Sequence, residues 1–242
     1  AELAGWRVPV VSRNTFPTAA GLASSAAGSA CLVHTLADVY GVVEGYPGEL
    51  STIARQGSGS ACRSMYGGFV RWDLGARKPD GSDCMAVQVA DEAAWPDLAI
   101  LIAVVSDKKK ETGSTDGMKA SAETSTLLPH RVATVVEPRL AAIEAAYRAR
   151  DFPTFARITM QDSNQFHAVC LDSYPPIFYM NDVSKRIIGL VHALNDAAGR
   201  IVAGYTFDAG PNAVIYTLKA DIPAVLAVLR AHFPASDDCA RG

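Results

Sequence analysis

Four short segments of the chain carry residues suited to anion chemistry. The first is PTAAGLASSAAG (17–28), which runs into an apolar helix. A helix N-terminus offers backbone N–H groups without intrahelical partners and a partial positive charge, so a phosphate placed there gains hydrogen bonds and a favourable dipole. Close approach needs a turn without bulky side chains; Gly21, Ala23, Ser24 and Ser25 meet that need. Ser24 or Ser25 can cap the helix or turn a hydroxyl toward the phosphate. No GK[ST] follows and GxGxxG is absent, so neither a P-loop nor a dinucleotide fingerprint is present. Small residues chosen only for tight packing of a buried helix explain the same stretch, and spacing alone does not decide.

The second turn, GSGSACRS (57–64), repeats the pattern and adds a guanidinium: Ser58 and Ser60 supply hydroxyls, and Arg63 can grip a carboxylate or phosphate with two parallel hydrogen bonds. The alternative is an ordinary cap with a surface arginine paired to an acid. The third segment, TFDAGPNAV (206–214), puts Asp208 where a strand gives way to a tight turn. Asp before Ala-Gly-Pro-Asn is also a good turn former, but beside two anion-binding turns a carboxylate suits a base or a stabiliser of positive charge. In the fourth, ETGSTDGMKAS (111–121), Ser114 and Thr115 can cap a helix and contact an anion, or simply cap it. Lys108–Lys110 reads as a solvated run. His167, mid-helix in DSNQFHAVC, reads as a core or hydrogen-bonded histidine.

The elements that must position these residues follow from periodicity. A strand is expected at 8–12, helices at about 25–40 and 49–56, and paired strands at 69–74 and 85–89 around KPDGSD. AWPD (94–97) marks a boundary. The continuous apolar run 98–105 predicts a strand buried on both faces. Helices are expected at about 115–128, 131–149, 152–170, 182–198 and 221–232, with strands at 202–207 and 213–218 around the Asp208 turn. Ile187, Ile188, Val191 and Leu194 make one apolar helix face. The sum is an α+β chain with helices packed on one side of antiparallel strands.

Composition narrows the class. The 242 residues are 49% hydrophobic with a formal net charge of −3, enough for one large or two modest domains. No basic block indicates nucleic acid, and no apolar run reaches the ~20 residues of a bilayer span. Five widely spaced cysteines without a CxxC pair read as reduced thiols in a cytoplasmic protein, with no metal-ligand set among them.

PTAAGLASSAAG resembles the phosphate-binding loop of the GHMP small-molecule kinases. GSGSACRS, DSNQFHAVCLDSYPPIFYMND (162–182) and YTFDAGPNAV (205–214) together resemble the diphosphomevalonate decarboxylase family, over residues 10–233. Where mevalonate and homoserine kinases typically carry Gly, this chain has Thr18, Ala19 and Ala20. The resemblance implies a GHMP kinase-like α+β fold: part of an N-terminal, ribosomal protein S5 domain 2-like ATP-binding domain (1–97), then a ferredoxin-like C-terminal domain (98–242). It implies ATP and Mg²⁺ as cofactors, phosphorylation of the 3-hydroxyl of mevalonate 5-diphosphate, and loss of phosphate and CO₂ to give isopentenyl diphosphate for isoprenoid and sterol synthesis. Residue by residue, Ala20, Gly21, Leu22, Ala23, Ser24 and Ser25 would cradle ATP. Ser58, Gly59, Ser60, Ala61, Cys62 and Arg63 would bind substrate, with Arg63 on its carboxylate. Ser114 and Thr115 would meet the diphosphate side, Asp208 would be the essential carboxylate, and no side chain is assigned as a metal ligand. A homodimer is expected, with a small-molecule substrate and neither nucleic acid nor membrane as partner. The family's early strand and Lys-Tyr-Trp motif do not occur, so roughly the first hundred residues of the family's N-terminal domain are expected to be missing, with substrate-diphosphate and nucleotide contacts among them. A related kinase that stops at phosphorylation, or a truncated chain that binds an anion or a partner without turnover, are the competing readings.

Overall fold

The structure is a computed structural model that describes residues 9–234 except 17, 76, 107 and 109. Val8 of the expected first strand and the tail from 235 lie outside the described residues, and 9–12 form no strand. The chain divides into two compact units, one ending at Ala94 and one beginning at Trp95.

In the first unit, α1 (Ser24–Tyr40), α2 (Glu49–Gly57) and α3 (Ala61–Ser64) pack on one another, and α3 meets β1 (Phe69–Trp72) and β2 (Ala86–Ala90). β1 and β2 are antiparallel, with Trp72 opposite Ala86 and an irregularity between Phe69 and Val70. The helices meet through alanines: Ala26 and Ala30 of α1, Ala54 of α2 and Ala61 of α3 form one buried cluster. Small side chains bring the helix backbones close, which is the packing role of the Ala/Gly/Ser stretch. Ser51, almost fully buried, donates to the Cys62 carbonyl and accepts from the Ala86 N–H, joining α2, α3 and β2. α1 ends at Gly41 in the left-handed region, whose N–H reaches the Asp38 carbonyl. The expectation of a buried helix needs correction. Only Ala26, Ala30 and Ala37 of α1 are buried, while Leu32 and Val39 are exposed, because α2 and α3 cover one face of it.

In the second unit, β3 (Leu98–Ala103), β4 (Ala203–Phe207) and β5 (Ala213–Leu218) form an antiparallel sheet in the order β3-β5-β4. Leu101, Ile215 and Tyr205 lie in register, as do Ala103, Ala213 and Phe207. On that face they meet Ile187 and Val191 of α8 (Asp182–Ala198), Val225 of α9 (Ile222–His232) and Met160 of α7 (Phe152–Asp172). Ile188 and Leu194 pack against the same core, so the stripe read from the α8 sequence is its inner face. β3 is an edge strand, and Ile100 and Ile102 on its other face are more than half exposed. Burial on both faces, expected from the apolar run, is therefore not observed. The N-terminal helices of this unit are α4 (Ser114–Thr124), α5 (Leu127–His130) and α6 (Val136–Ala149), a π-helical segment at Arg131–Val135 joining the last two. α4 stops short of the expected 128 because Asp172 takes the Ser125 hydroxyl and the Leu127 N–H, starting a new helix.

Candidate active site

The first turn leads into α1 by an alternation of backbone hands. Ala19, Gly21 and Ala23 have φ of 59°, 78° and 58°, and the residues between them do not. Successive N–H groups along such an alternation point into one concavity, a backbone nest for anions. Ala23, not a serine, is the N-cap residue; no side chain caps α1, and no acid lies in its first turn. The expected serine cap is thus corrected. Ser24 Oγ instead accepts from the Ala19 N–H at 3.0 Å, which closes the nest, and Ser25 Oγ lies 3.4 Å from Ser58 Oγ. That contact brings the first two sequence motifs together. Ala20 and Gly21 are buried, Leu22 is half-buried and Ser25 is exposed.

The second turn folds into the short helix α3, begun by the Ala61 N–H on the Ser58 carbonyl. Ser58, Gly59 and Ser60 are half-buried and Ala61 is buried. The Cys62 thiol is also buried and donates to the Gly59 carbonyl at 3.1 Å. Burial pushes the Cys62 thiol up, against the opposing charge of Arg63, so it is a packing group and not a nucleophile. Arg63 is exposed and makes no ion pair among the described residues. Its guanidinium lies 5.4 Å from the ring centre of Trp72, and a Cβ at Gly59 would stand 3.1 Å from that ring, a tight contact. The aromatic face holds the cation while leaving its donors available.

In the second unit, Asp208 is exposed just beyond β4. Its carboxylate accepts from the Ala209 N–H at 2.7 Å and its carbonyl from the Gly210 N–H at 2.7 Å. The Lys110 ammonium donates to the Ala209 carbonyl at 2.9 Å and to Ser114 Oγ at 2.6 Å. Burial lowers the Lys110 pKa, and the Asp208 charge works against that shift. The expectation of a solvated lysine run holds for Lys108, which is exposed; Lys109 lies outside the described residues, and Lys110 is half-buried and bonded to the turn after Asp208. The pattern gave no signal that would have singled it out, because its anchor lies 99 residues away. Gly113 caps α4, and Ser114 and Thr115 stand exposed in its first turn without capping it, which corrects that expectation.

Beside Asp208 lies a mainly apolar cavity of about 210 Å³, lined among others by Ser114, Gly117, Phe166, Cys170 and Tyr179. A Cβ at Gly117 would collide with the Tyr179 hydroxyl, so glycine lets α4 approach the cavity wall. Burial, with the Asp208 charge adding to it, pushes the Cys170 thiol up to about 11; burial, with the charges of Cys170 and Asp208, pushes the Tyr179 phenol up to about 12. Both stay protonated at neutral pH. Thr115 does not line this cavity.

Two family models cover the chain: the mevalonate 5-diphosphate decarboxylase C-terminal domain at residues 100–241 and the diphosphomevalonate decarboxylase-like N-terminal domain at residues 1–86. The chain belongs to the mevalonate 5-diphosphate decarboxylase family. A diphosphomevalonate decarboxylase from Eremothecium gossypii is 55% identical over 236 residues, 98% of this chain and 59% of the relative. The crystal structure of a mevalonate 5-diphosphate decarboxylase at 2.3 Å resolution is 50% identical with a TM-score of 0.87, over 93% of this chain and 57% of that one. The structure of MDDEF in complex with MVAPP, AMPPCP and magnesium is 33% identical with a TM-score of 0.78, over 90% of this chain and 65% of that one. The chain thus spans less than two thirds of the length of these relatives. Among the described residues no helix is long and apolar enough to cross a membrane.

Proposed function

We infer that the protein carries out ATP-dependent decarboxylation of (R)-mevalonate 5-diphosphate to isopentenyl diphosphate, CO₂, ADP and phosphate, the reaction of the isoprenoid pathway that its family name denotes. One observation carries this reading: in a chain of that family, an exposed carboxylate, Asp208, shares a cavity wall with Ser114 at the start of α4, and the half-buried Lys110 ammonium bonds Ser114 and the carbonyl of Ala209, the residue after Asp208. That is the charge pattern required to handle an anionic substrate at a carbon that loses a hydroxyl.

The division of labour follows the two units. Residues 1–97 are assigned to nucleotide binding and, through Arg63, to the substrate's carboxylate, and residues from 98 onward to the reacting hydroxyl through Asp208. The Ala19–Ala23 nest and the uncapped N-terminus of α1 fit a polyphosphate, with Ala20, Gly21, Leu22, Ala23, Ser24 and Ser25 as its cradle. Bound ATP supplies the phosphoryl group that makes the tertiary hydroxyl a leaving group, and Mg²⁺ neutralises its phosphates. No cluster of three or more His, Cys, Asp or Glu is present among the described residues. A Mg²⁺ held by phosphates, waters and one or two carboxylates fits that donor set.

Ser58, Gly59, Ser60, Ala61, Cys62 and Arg63 are assigned to the substrate, with the Arg63 fork on its carboxylate so that the breaking C–C bond is aligned with the leaving group. Ser114 and Thr115 are assigned to the diphosphate side. Asp208 orients the 3-hydroxyl and accepts its proton; after that proton passes to solvent, the restored carboxylate stabilises positive charge growing at that carbon as phosphate departs. Lys110 keeps the Asp208 turn closed through the Ala209 carbonyl. The thiols of Cys31, Cys62, Cys84 and Cys170 are free, which fits a reducing compartment such as the cytoplasm. A homodimer is assigned on the prevalence of two-fold symmetry; sedimentation reads it directly.

Asp208→Asn tests the core of this reading. The variant is expected to bind ATP as the parent chain does while turnover falls by about 10²-fold or more, as for loss of a preorganised charge. A variant with parental turnover would remove Asp208 from the reaction.

A further inference from the structure

Asp208 directly follows Phe207, whose two backbone groups are both held by side chains. The Asp208 side chain is bonded to its own turn, so its direction is set by the Phe207–Asp208 backbone where β4 ends. β4 is an edge strand, without a strand neighbour on its outer side among the described residues. The outward groups of Phe207 are met instead by α7. The Phe207 N–H donates to Ser163 Oγ at 3.0 Å, and the Phe207 carbonyl lies 3.2 Å from His167 Nε2. A carbonyl only accepts, so Nε2 carries the proton. Ser163 and His167 are four residues apart on one helix face, and each is only 4% exposed. The imidazole is held edge-on by Phe166 at 4.9 Å and Phe207 at 6.3 Å. Burial holds the His167 pKa down, against the Phe207 hydrogen bond and the Asp208 charge, so the ring is neutral and keeps this tautomer.

α7 follows β4 along its length. A Cβ on Gly204 would stand 2.8 Å from the Ala156 methyl, and the Tyr205 hydroxyl donates to Asn164 at 3.0 Å. The Ser163 and His167 bonds complete that seam at the last strand residue. They differ from the other contacts because they hold the two peptide groups that flank Phe207, the residue before Asp208, the His167 bond falling on the Phe207–Asp208 peptide itself.

We propose that Ser163 and His167 are positioning residues: together they hold both backbone groups of Phe207 and so aim the Asp208 carboxylate. The consequence for turnover rests on Asp208 being the reacting carboxylate; the positional claim does not. Both are read on the same chain with His167→Phe, His167→Gln and Ser163→Ala. His167→Phe keeps an aromatic ring and loses the donor, and His167→Gln keeps an N–H of similar reach. The first readout is the ¹³C signal of the Asp208 carboxyl carbon in the unliganded, folded protein. It is expected to move in His167→Phe and Ser163→Ala and to return toward the parent position in His167→Gln. The second is steady-state turnover, where kcat is expected to fall about tenfold in His167→Phe, as for slight misplacement of a reacting group. KM for mevalonate 5-diphosphate should stay within about twofold, with kcat recovered in His167→Gln. A contribution to folding alone would lower the melting temperature of all three variants without moving the Asp208 signal. An unmoved Asp208 signal in Ser163→Ala, or a His167→Gln that behaves as His167→Phe, overturns the proposal. If the parent chain releases no CO₂, the functional reading fails and the carboxyl signal alone decides this one. Should His167→Phe not fold, Ser163→Ala and His167→Gln decide it.

Discussion

Replacing Asn212 by alanine should loosen the second unit at the joint that carries its chemistry. Asn212 is fully buried in the turn after Asp208. Its side-chain oxygen accepts from the Val105 and Ser106 N–H groups at 2.6 and 3.0 Å, and its amide donates to the Ser106 carbonyl at 3.0 Å. One side chain thus fastens the exit of β3, which leads to Lys110 and Ser114, to the turn that holds Asp208. Alanine would leave two backbone donors and one acceptor without it. At ~1–3 kcal/mol for each buried group left unmet, less some relaxation, the loss is about 3–4 kcal/mol. For a chain of this size that lowers the melting temperature by roughly 10 °C. The Val105 and Ser106 amides should exchange faster at temperatures where the variant is folded. Asn195 serves as the control. It makes the same set of bonds, accepting from Val202 and Ala203 at 2.8 and 3.1 Å and donating to the Ala203 carbonyl at 3.0 Å. Asn195→Ala should cost a similar amount and leave Val105 and Ser106 exchange unchanged. Thermal unfolding followed by hydrogen exchange reads both. An Asn212→Ala variant melting within about 2 °C of the parent would refute the reasoning.

Three further outcomes are expected. Ala23→Gly should raise stability by up to about 1 kcal/mol in thermal unfolding, since a side chain in the left-handed region is strained, whereas Ala23→Val should lower it and weaken ATP binding in calorimetry. Trp72→Leu removes the aromatic face under Arg63 and should cost about 1 kcal/mol, or roughly fivefold, in affinity for mevalonate 5-diphosphate, with ATP affinity retained. Burial pushes the Asp162 carboxyl up, but hydrogen bonds and charge from Arg131 and Arg139, at 2.7 and 3.1 Å, outweigh it and hold the pKa below the ordinary range. A depressed folded pKa stabilises above the unfolded value, so that contribution should be present at neutral pH and fade as pH falls below about 4; Asp162→Asn should flatten this acid limb of the unfolding curve.

Much of the fold was legible because its signals are local. Periodicity located the strands around the Asp208 turn and the inner face of α8, and Gly41 marked the end of α1. Burial was not legible in the same way. An apolar run such as 98–103 shows that a strand forms, but edge or centre is decided by which strands pair with it, and β5 lies more than a hundred residues further on. The same limit applies to α1, whose apolar composition says nothing of how many faces are covered. At the candidate site, residue types identified the small-residue turns, Arg63 and Asp208, but not the way the serines are used. Ser24 serves Ala19, and Ser114 serves Lys110, because backbone hands at Ala19 and Ala23 and a distant carbonyl at Ala209 set those partners. His167 reads from its sequence as a core or hydrogen-bonded histidine and is one, but its partner Phe207 lies 40 residues on; Lys110 and Ser163 likewise act through contacts 99 and 44 residues away, of which the local pattern carries no trace.

On the function proposed above, this chain releases CO₂ from a diphosphorylated hydroxy acid at the expense of ATP. The most direct measurement supplies the purified chain with ATP, Mg²⁺ and mevalonate 5-diphosphate labelled at its carboxyl carbon, and follows trapped CO₂ and ADP together. The account predicts equal amounts of the two, both lost in Asp208→Asn. ADP formed without labelled CO₂, or CO₂ released equally by Asp208→Asn, would contradict it.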